Sequence, residues 1–165
     1  MPKKTIYEKK DGIAYLTVNN PEKANVMDSQ VMEEMAEEYR DFWEDRDMKV
    51  MILTGMGDRH FSAGHHIQPP PPGQSYTDIR VQRNEGFFWP RAQTVNGREI
   101  AVFGGGTDFP RVWKPVIAAV NGWAAGAGLY MLLHTVDIRI ACEEHARFYF
   151  ALLSNRGGIG SGPSA

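Results

Sequence analysis

The chain has 165 residues, 42% of them apolar and 23% charged, close to an average soluble chain and sufficient to bury one domain core or one large piece of a bigger one. A net charge of −2, with no basic stripe or tail, argues against nucleic acid as the main partner. Seventeen glycines and ten prolines exceed average usage without reaching a low-complexity composition, so the extra backbone punctuation belongs in turns or at a site.

Thr5-Ile6-Tyr7-Glu8-Lys9 alternates, and Ile13-Ala14-Tyr15-Leu16-Thr17-Val18 is rich in strand formers. Asp11-Gly12 between them accepts positive φ, which predicts a β-hairpin. Asn20-Pro21 breaks the second strand. Asp28 or Ser29 then caps a helix over about 29–44, with Glu33 and Glu34 in its first turns. Val31, Met35, Tyr39 and Phe42 form its apolar stripe, with Met32, Ala36 and Trp43 beside them. Such a stripe is core packing.

The apolar run 49–55, closed by Gly55, has the look of a strand buried on both faces. After a turn comes Phe61-Ser62-Ala63-Gly64-His65-His66-Ile67, then four prolines at 69–72, which predict a stiff extended loop. A helix over 76–89 is expected, and 91–109 shows no clear pattern. A buried strand follows at 114–122. Trp123-Ala124-Ala125-Gly126-Ala127-Gly128 is expected to open an apolar helix that continues through Leu129, Met131, Leu132 and Leu133. Residues 137–141 alternate, and Ala146-Arg147-Phe148 suggests a last short strand. Residues 156–165 are almost without side chains, so the chain reads as cut at its C-terminus. Strands alternating with helices indicate an α/β domain.

The longest apolar stretch, 115–133, is interrupted by Asn121, Gly122, Gly126 and Gly128, which excludes a membrane-spanning reading. Cys142 is the only cysteine and permits no internal disulfide. With no apolar stretch of signal-peptide length at the N-terminus, a cytoplasmic protein is expected.

Two segments combine a strand, small residues and a helix start or turn: 61–67 and 121–128. Small residues let a ligand approach the main chain, and N–H groups at a helix start have no internal acceptor. Two such groups aimed at one point would form an oxyanion hole.

These same segments carry a resemblance. Phe61-Ser62-Ala63-Gly64-His65-His66-Ile67 resembles the F-[SA]-A-G-x-D-[IL] motif of the crotonase (enoyl-CoA hydratase/isomerase) superfamily. The run from Lys114-Pro115-Val116 through Asn121-Gly122 to Gly126-Ala127-Gly128 resembles its K-P-V-I-A-A-V-N-G-x-A-x-G-G-G motif. Asn20-Pro21-Glu22-Lys23-Ala24-Asn25 is similar to the turn after its first hairpin, and Asp137-Ile138-Arg139-Ile140-Ala141 to its D-[IL]-x-x-A strand. Order and spacing agree over residues 5–160.

The resemblance implies a spiral of ββα turns over residues 1–165, lacking the C-terminal helices that build the family's trimers or hexamers. It implies an acyl-CoA thioester as small-molecule partner, with coenzyme A as part of the substrate and no other cofactor. Matched by position, His65 and Ala127 would supply the main-chain oxyanion hole for an enolate-like intermediate. Lys23, Ala24, Val26, Ala63, Gly64, Ile67, Gln68 and Gly126 would lie along the coenzyme.

Two family glutamates are absent. Their positions fall at Tyr130 and about Leu152, and the motif aspartate is His66. Tyr130 is then a candidate proton donor, although a phenol is a poor base at neutral pH. His65 and His66 are candidate acid/base groups. The lost carboxylates leave a second reading open, a crotonase-like binding scaffold without turnover.

A nicotinamide oxidoreductase is a third reading, on the glycine spacing 122, 126, 128. Against it, the turn lies past residue 120 and no Tyr-x-x-x-Lys pair exists. His60, His65 and His66 raise the question of a metal, but adjacent histidines on extended backbone face opposite ways and no ligand set lies beside them.

Overall fold

The computed structural model describes residues 2–65, 91–95, 98–102 and 112–150. The proline run, the helix expected over 76–89 and the glycine-rich C-terminus lie outside the described residues.

Strands β1 (Thr5–Lys10) and β2 (Ile13–Val18) form the expected hairpin, Thr5 opposite Val18 and Lys10 opposite Ile13. Asp11 and Gly12 both take positive φ, 52° and 80°, as a turn matched to strand twist requires. A 3₁₀ turn, Pro21–Lys23, leads to helix α1 (Ser29–Glu44). Asp28 is its cap, accepting the Val31 N–H at 3.1 Å. Glu34 serves the hairpin instead of the helix dipole: it accepts from the Lys4 N–H at 2.8 Å and the Thr5 hydroxyl at 3.1 Å.

Apart from the antiparallel pair formed by residues 91–95 and 98–102, the remaining strands fall alternately into two sheets. The larger has the order β1-β2-β3-β7-β9, with β3 (Val50–Gly55), β7 (Val116–Val120) and β9 (Ile138–Ala141); β2, β3, β7 and β9 run parallel. The smaller is parallel with the order β10-β8-β4: β4 (His60–Ser62), β8 (Trp123–Ala125) and β10 (Arg147–Tyr149). Each circuit of the chain therefore sends one strand to the large sheet and the next to the small one. The pairs β3/β4, β7/β8 and β9/β10 are successive turns of a spiral. Helix α2 (Ala127–His134) follows β8. Strands β5 (Arg91–Val95) and β6 (Arg98–Val102) form an antiparallel pair where the sequence showed no clear pattern; the signal overlooked is the Asn96-Gly97 dipeptide between them.

The core lies between α1 and one face of the large sheet. Val31, Met35, Tyr39 and Phe42 of the helix meet Ala14, Leu16, Val18, Met51, Leu53, Val116, Ala118 and Val120, all essentially inaccessible. Burying a Leu or Phe of this kind contributes about 1.5–3 kcal/mol. The β3 run is buried on one face only. Met51 and Leu53 are inside, whereas Ile52 and Thr54 are half-buried. Residues 123–125, expected to open the helix, are a strand, because β4 and β10 pair with them on both sides; the helix starts two residues later. All four residues of β9 are exposed, so its alternation does not mark a buried face.

Candidate functional site

Lys114 fixes the start of the strand that leads into the site. Its ammonium donates to the carbonyls of Phe42 (2.6 Å) and Asp45 (2.5 Å) and lies over the Phe42 ring, closing the C-terminal end of α1. Burial pulls this ammonium below the usual lysine range, against the opposing pull of Asp45. On the neighbouring strand Asp137 accepts the Val116 N–H at 2.8 Å, and Arg139 donates to the carbonyls of Leu132 and Val136 at the end of α2. These charged residues are structural ties.

Two asparagines hold the turn between β3 and β4. Asn25, fully buried and at φ 51°, donates to the carbonyls of Met56 (3.0 Å) and His60 (2.7 Å) and accepts the Asn20 N–H at 3.0 Å. Asn121 accepts the Gly55 N–H at 3.2 Å and donates to the carbonyls of Gly55 (2.7 Å) and Gly57 (2.5 Å). Neither role is readable from the sequence alone, although an asparagine in a Pro-containing turn is a candidate for left-handed backbone. Ser62 completes the set: its hydroxyl donates to the Asn25 carbonyl (2.8 Å) and accepts the Gly64 N–H (3.1 Å).

The register of β4 against β8 slips by one residue between His60 and Ser62. Such a bulge re-aims the chain beyond it, here the segment Ala63-Gly64-His65. That segment crosses the turn 125–127, and the two interlock through glycines. A Cβ on Gly64, which has φ +94°, would lie 2.7 Å from the Ala127 nitrogen and 2.8 Å from the Ala125 carbonyl oxygen. A Cβ on Gly128 would lie 2.5 Å from the Ser62 carbonyl oxygen and 2.9 Å from its Cβ. Only residues without side chains permit this approach.

The structure thus brings together most of the residues singled out in the sequence. Ala63 N–H donates to the Ala24 carbonyl at 2.9 Å, and Met27 N–H to the Gly64 carbonyl at 2.8 Å, so the turn carrying Lys23, Ala24 and Val26 adjoins Ala63 and Gly64. Gly126 and Ala127 lie against Gly64, with Ala127 the first residue of α2, where an amide has no acceptor within the helix. His65 is exposed beside them and bridges to Met27. Tyr130 is half-buried one turn into α2, stacked on His134 (centroids 6.2 Å apart, 17° between planes) and edge-on to Phe150 (6.3 Å, 80°). His66, Ile67 and Gln68 lie outside the described residues.

A cavity of about 300 Å³ lined by Asp58, Arg59, His60, Trp123, Glu144, His145 and Arg147 lies at the opposite end of the small parallel sheet, since His60, Trp123 and Arg147 are the first residues of their strands. It is separate from the glycine turns. No group of three or more His, Cys, Asp or Glu suited to a metal ion occurs among the described residues, and no helix among them is long and apolar enough to cross a membrane.

Comparison with known proteins gives the arrangement a context. Residues 8–162 match the family model described as enoyl-CoA hydratase/isomerase. The chain is 30% identical to (E)-benzylidenesuccinyl-CoA hydratase of Thauera aromatica over 136 residues, covering 82% of this chain and 45% of that one. It is 33% identical to the short-chain-enoyl-CoA hydratase of Clostridium acetobutylicum over 146 residues, covering 87% and 48%. A solved enoyl-CoA hydratase from Mycobacterium tuberculosis H37Rv superposes with a TM-score of 0.63 at 27% identity, over 92% of this chain and 53% of that one. The chain spans about half the length of the curated relatives it matches.

Proposed function

The chain belongs to the enoyl-CoA hydratase/isomerase family, and from that premise we propose that it binds an acyl-CoA thioester and grips the thioester oxygen between the main-chain N–H groups of His65 and Ala127. The observation that carries this reading is the interlock of the two motif turns, which sets Gly64 directly against the Ala127 nitrogen. When the α-carbon loses a proton, or when water adds to the β-carbon of an enoyl thioester, the thioester oxygen takes up negative charge, which it gives up again when the α-carbon is protonated. Fixed N–H donors stabilise that charge without reorganising, and removal of one such donor typically costs ~3–4 kcal/mol of transition-state stabilisation.

Coenzyme A would run along Lys23, Ala24, Val26, Ala63, Gly64 and Gly126, continuing past Ile67 and Gln68. The exposed Lys23 ammonium would meet phosphate charge. The hydrogen bonds from Ala63 to Ala24 and from Met27 to Gly64 support this path, because they tie the Lys23 turn to the edge of the glycine site.

Turnover also needs a group to move a proton at the α-carbon. Tyr130, one helical turn past Ala127, is the candidate acid, and the imidazole of His66 the candidate acid/base. With tyrosine at 130 and leucine at 152, neither position that carries a carboxylate in family hydratases has a strong base for water. That substitution favours binding and polarisation over efficient hydration, and it is the observation behind a second reading, a thioester-binding scaffold without turnover. Titration with crotonyl-CoA, followed by the ultraviolet absorbance of the conjugated thioester, separates the two. Loss of the band on addition of protein marks hydration; a shifted, persistent band marks binding alone. Absence of any binding overturns the proposal.

A further inference from the structure

We infer that the acyl end of this site takes an aryl-conjugated acyl group, with Tyr130 and Phe150 as the aromatic wall that recognises its ring. The inference rests on the thioester-binding reading above and adds the chemical class of the acyl group to it.

Three observations converge on that wall. Tyr130 stands three residues after Ala127 in α2, so the two share a helix face. Because Cα–Cβ bonds tilt toward a helix N-terminus, the Tyr130 ring is carried back toward the turn that holds the Ala127 amide. Strand β10 runs parallel to β8, and the Gly126 N–H donates to the Tyr149 carbonyl at 3.1 Å. That bond delivers Phe150 to the helix start, where its ring meets Tyr130 edge-on at 6.3 Å and 80°. Finally, the pair is incompletely covered. Tyr130 is half-buried and Phe150 is 45% exposed, while His134 supports Tyr130 from the next turn at 6.2 Å.

An edge-to-face pair with one open side offers a further ring the stacked and edge contacts that aromatic quadrupoles favour. A short alkyl group gains only contact area there. A carboxylate at position 130 would hold water at the same place, whereas the phenol body presents an apolar surface with its polar tip at the margin. The site is accordingly built to prefer an arene in conjugation with the thioester over a saturated group of equal size.

The test compares dissociation constants by calorimetry for cinnamoyl-CoA, 3-cyclohexylpropenoyl-CoA and crotonyl-CoA, using the 165-residue chain. Cinnamoyl-CoA is expected to bind about tenfold tighter than its cyclohexyl counterpart, the upper range of an aromatic contact beyond area burial. In Tyr130→Leu that ratio should fall to about one, and in Tyr130→Phe it should persist; circular dichroism confirms that each variant is folded. Equal affinity for the aryl and cyclohexyl thioesters overturns the inference and leaves the main-chain grip standing, as does an undiminished ratio in Tyr130→Leu. Failure of all three thioesters, crotonyl-CoA included, to bind overturns the grip itself.

Discussion

Replacing Gly128 by alanine isolates the contact on which the site depends. Gly128 lies inside α2, where alanine is intrinsically favoured over glycine by about 1 kcal/mol. Helix propensity alone therefore predicts a more stable protein. The added Cβ, however, would fall 2.5 Å from the Ser62 carbonyl oxygen and 2.9 Å from the Ser62 Cβ. Neither is the far end of a flexible side chain, and Ser62 is itself held by Asn25 and Gly64, so β4 and α2 must separate. Overpacking of this kind costs about 1–3 kcal/mol, and more where the backbone must move. Taking the upper part of that range against the propensity gain, Gly128→Ala should be net destabilised by about 1–2 kcal/mol. With a urea m-value of ~2 kcal/mol/M, the midpoint falls by about 0.5–1 M at unchanged m. Gly57→Ala serves as the comparison. It has φ +86° and open space around its Cβ position, so it reports left-handed strain without packing, and its crotonyl-CoA affinity should be retained while that of Gly128→Ala is lost. An unchanged or raised midpoint in Gly128→Ala would refute the claim that the two motif turns interlock.

Other perturbations address the supports of the site. Asn25→Ala removes a buried side chain that satisfies three main-chain groups and should cost about 2–4 kcal/mol in urea unfolding. Lys114→Met should lower stability by about 1–2 kcal/mol, read from the thermal midpoint, by leaving the end of α1 uncapped. Burial raises the Glu38 carboxyl above its ordinary 4.5, with the Thr5 hydroxyl and Lys3 pulling the other way and Glu34 and Glu37 adding to the rise. The folded state then binds the proton more tightly than the unfolded state, so the contribution of Glu38 is fully present below about pH 4.5 and declines as pH rises through the raised value. Urea midpoints of the Glu38→Gln variant relative to the parent should therefore improve on going from pH 4 to pH 8. Exposed Ile138, Ile140, Phe148 and Phe150 form apolar surface on β9 and around β10, so light scattering should show concentration-dependent association, and Ile140→Lys should reduce it.

Much of this architecture is legible in the chain because its strands and first helix obey their periods. Alternation marks β1 and β2, Asp11-Gly12 marks their turn, and the recurrence at spacings of four, four and three from Val31 to Phe42 marks the face of α1 that carries the core. The two glycine segments are legible for another reason: glycine at 64 and 128 has no value to packing unless something must come close. What escaped the reading is what depends on partners distant in sequence. Trp123-Ala124-Ala125 has helix-favouring composition, yet pairing on both edges makes it a strand. Asn25 and Asn121 look like ordinary turn residues until the main chain 31 to 66 residues away supplies their bonds. The exposure of β9 is likewise invisible to a pattern that reports alternation but not what lies on either side.

The most direct test of the central claim is the carbonyl stretch of crotonyl-CoA carrying ¹³C at the thioester carbon, recorded by difference infrared spectroscopy in the presence of saturating protein. A carbonyl held between the amides of residues 65 and 127 should absorb at lower frequency than the free thioester, with Gly128→Ala abolishing the shifted band. A bound thioester that keeps its solution frequency would contradict the account.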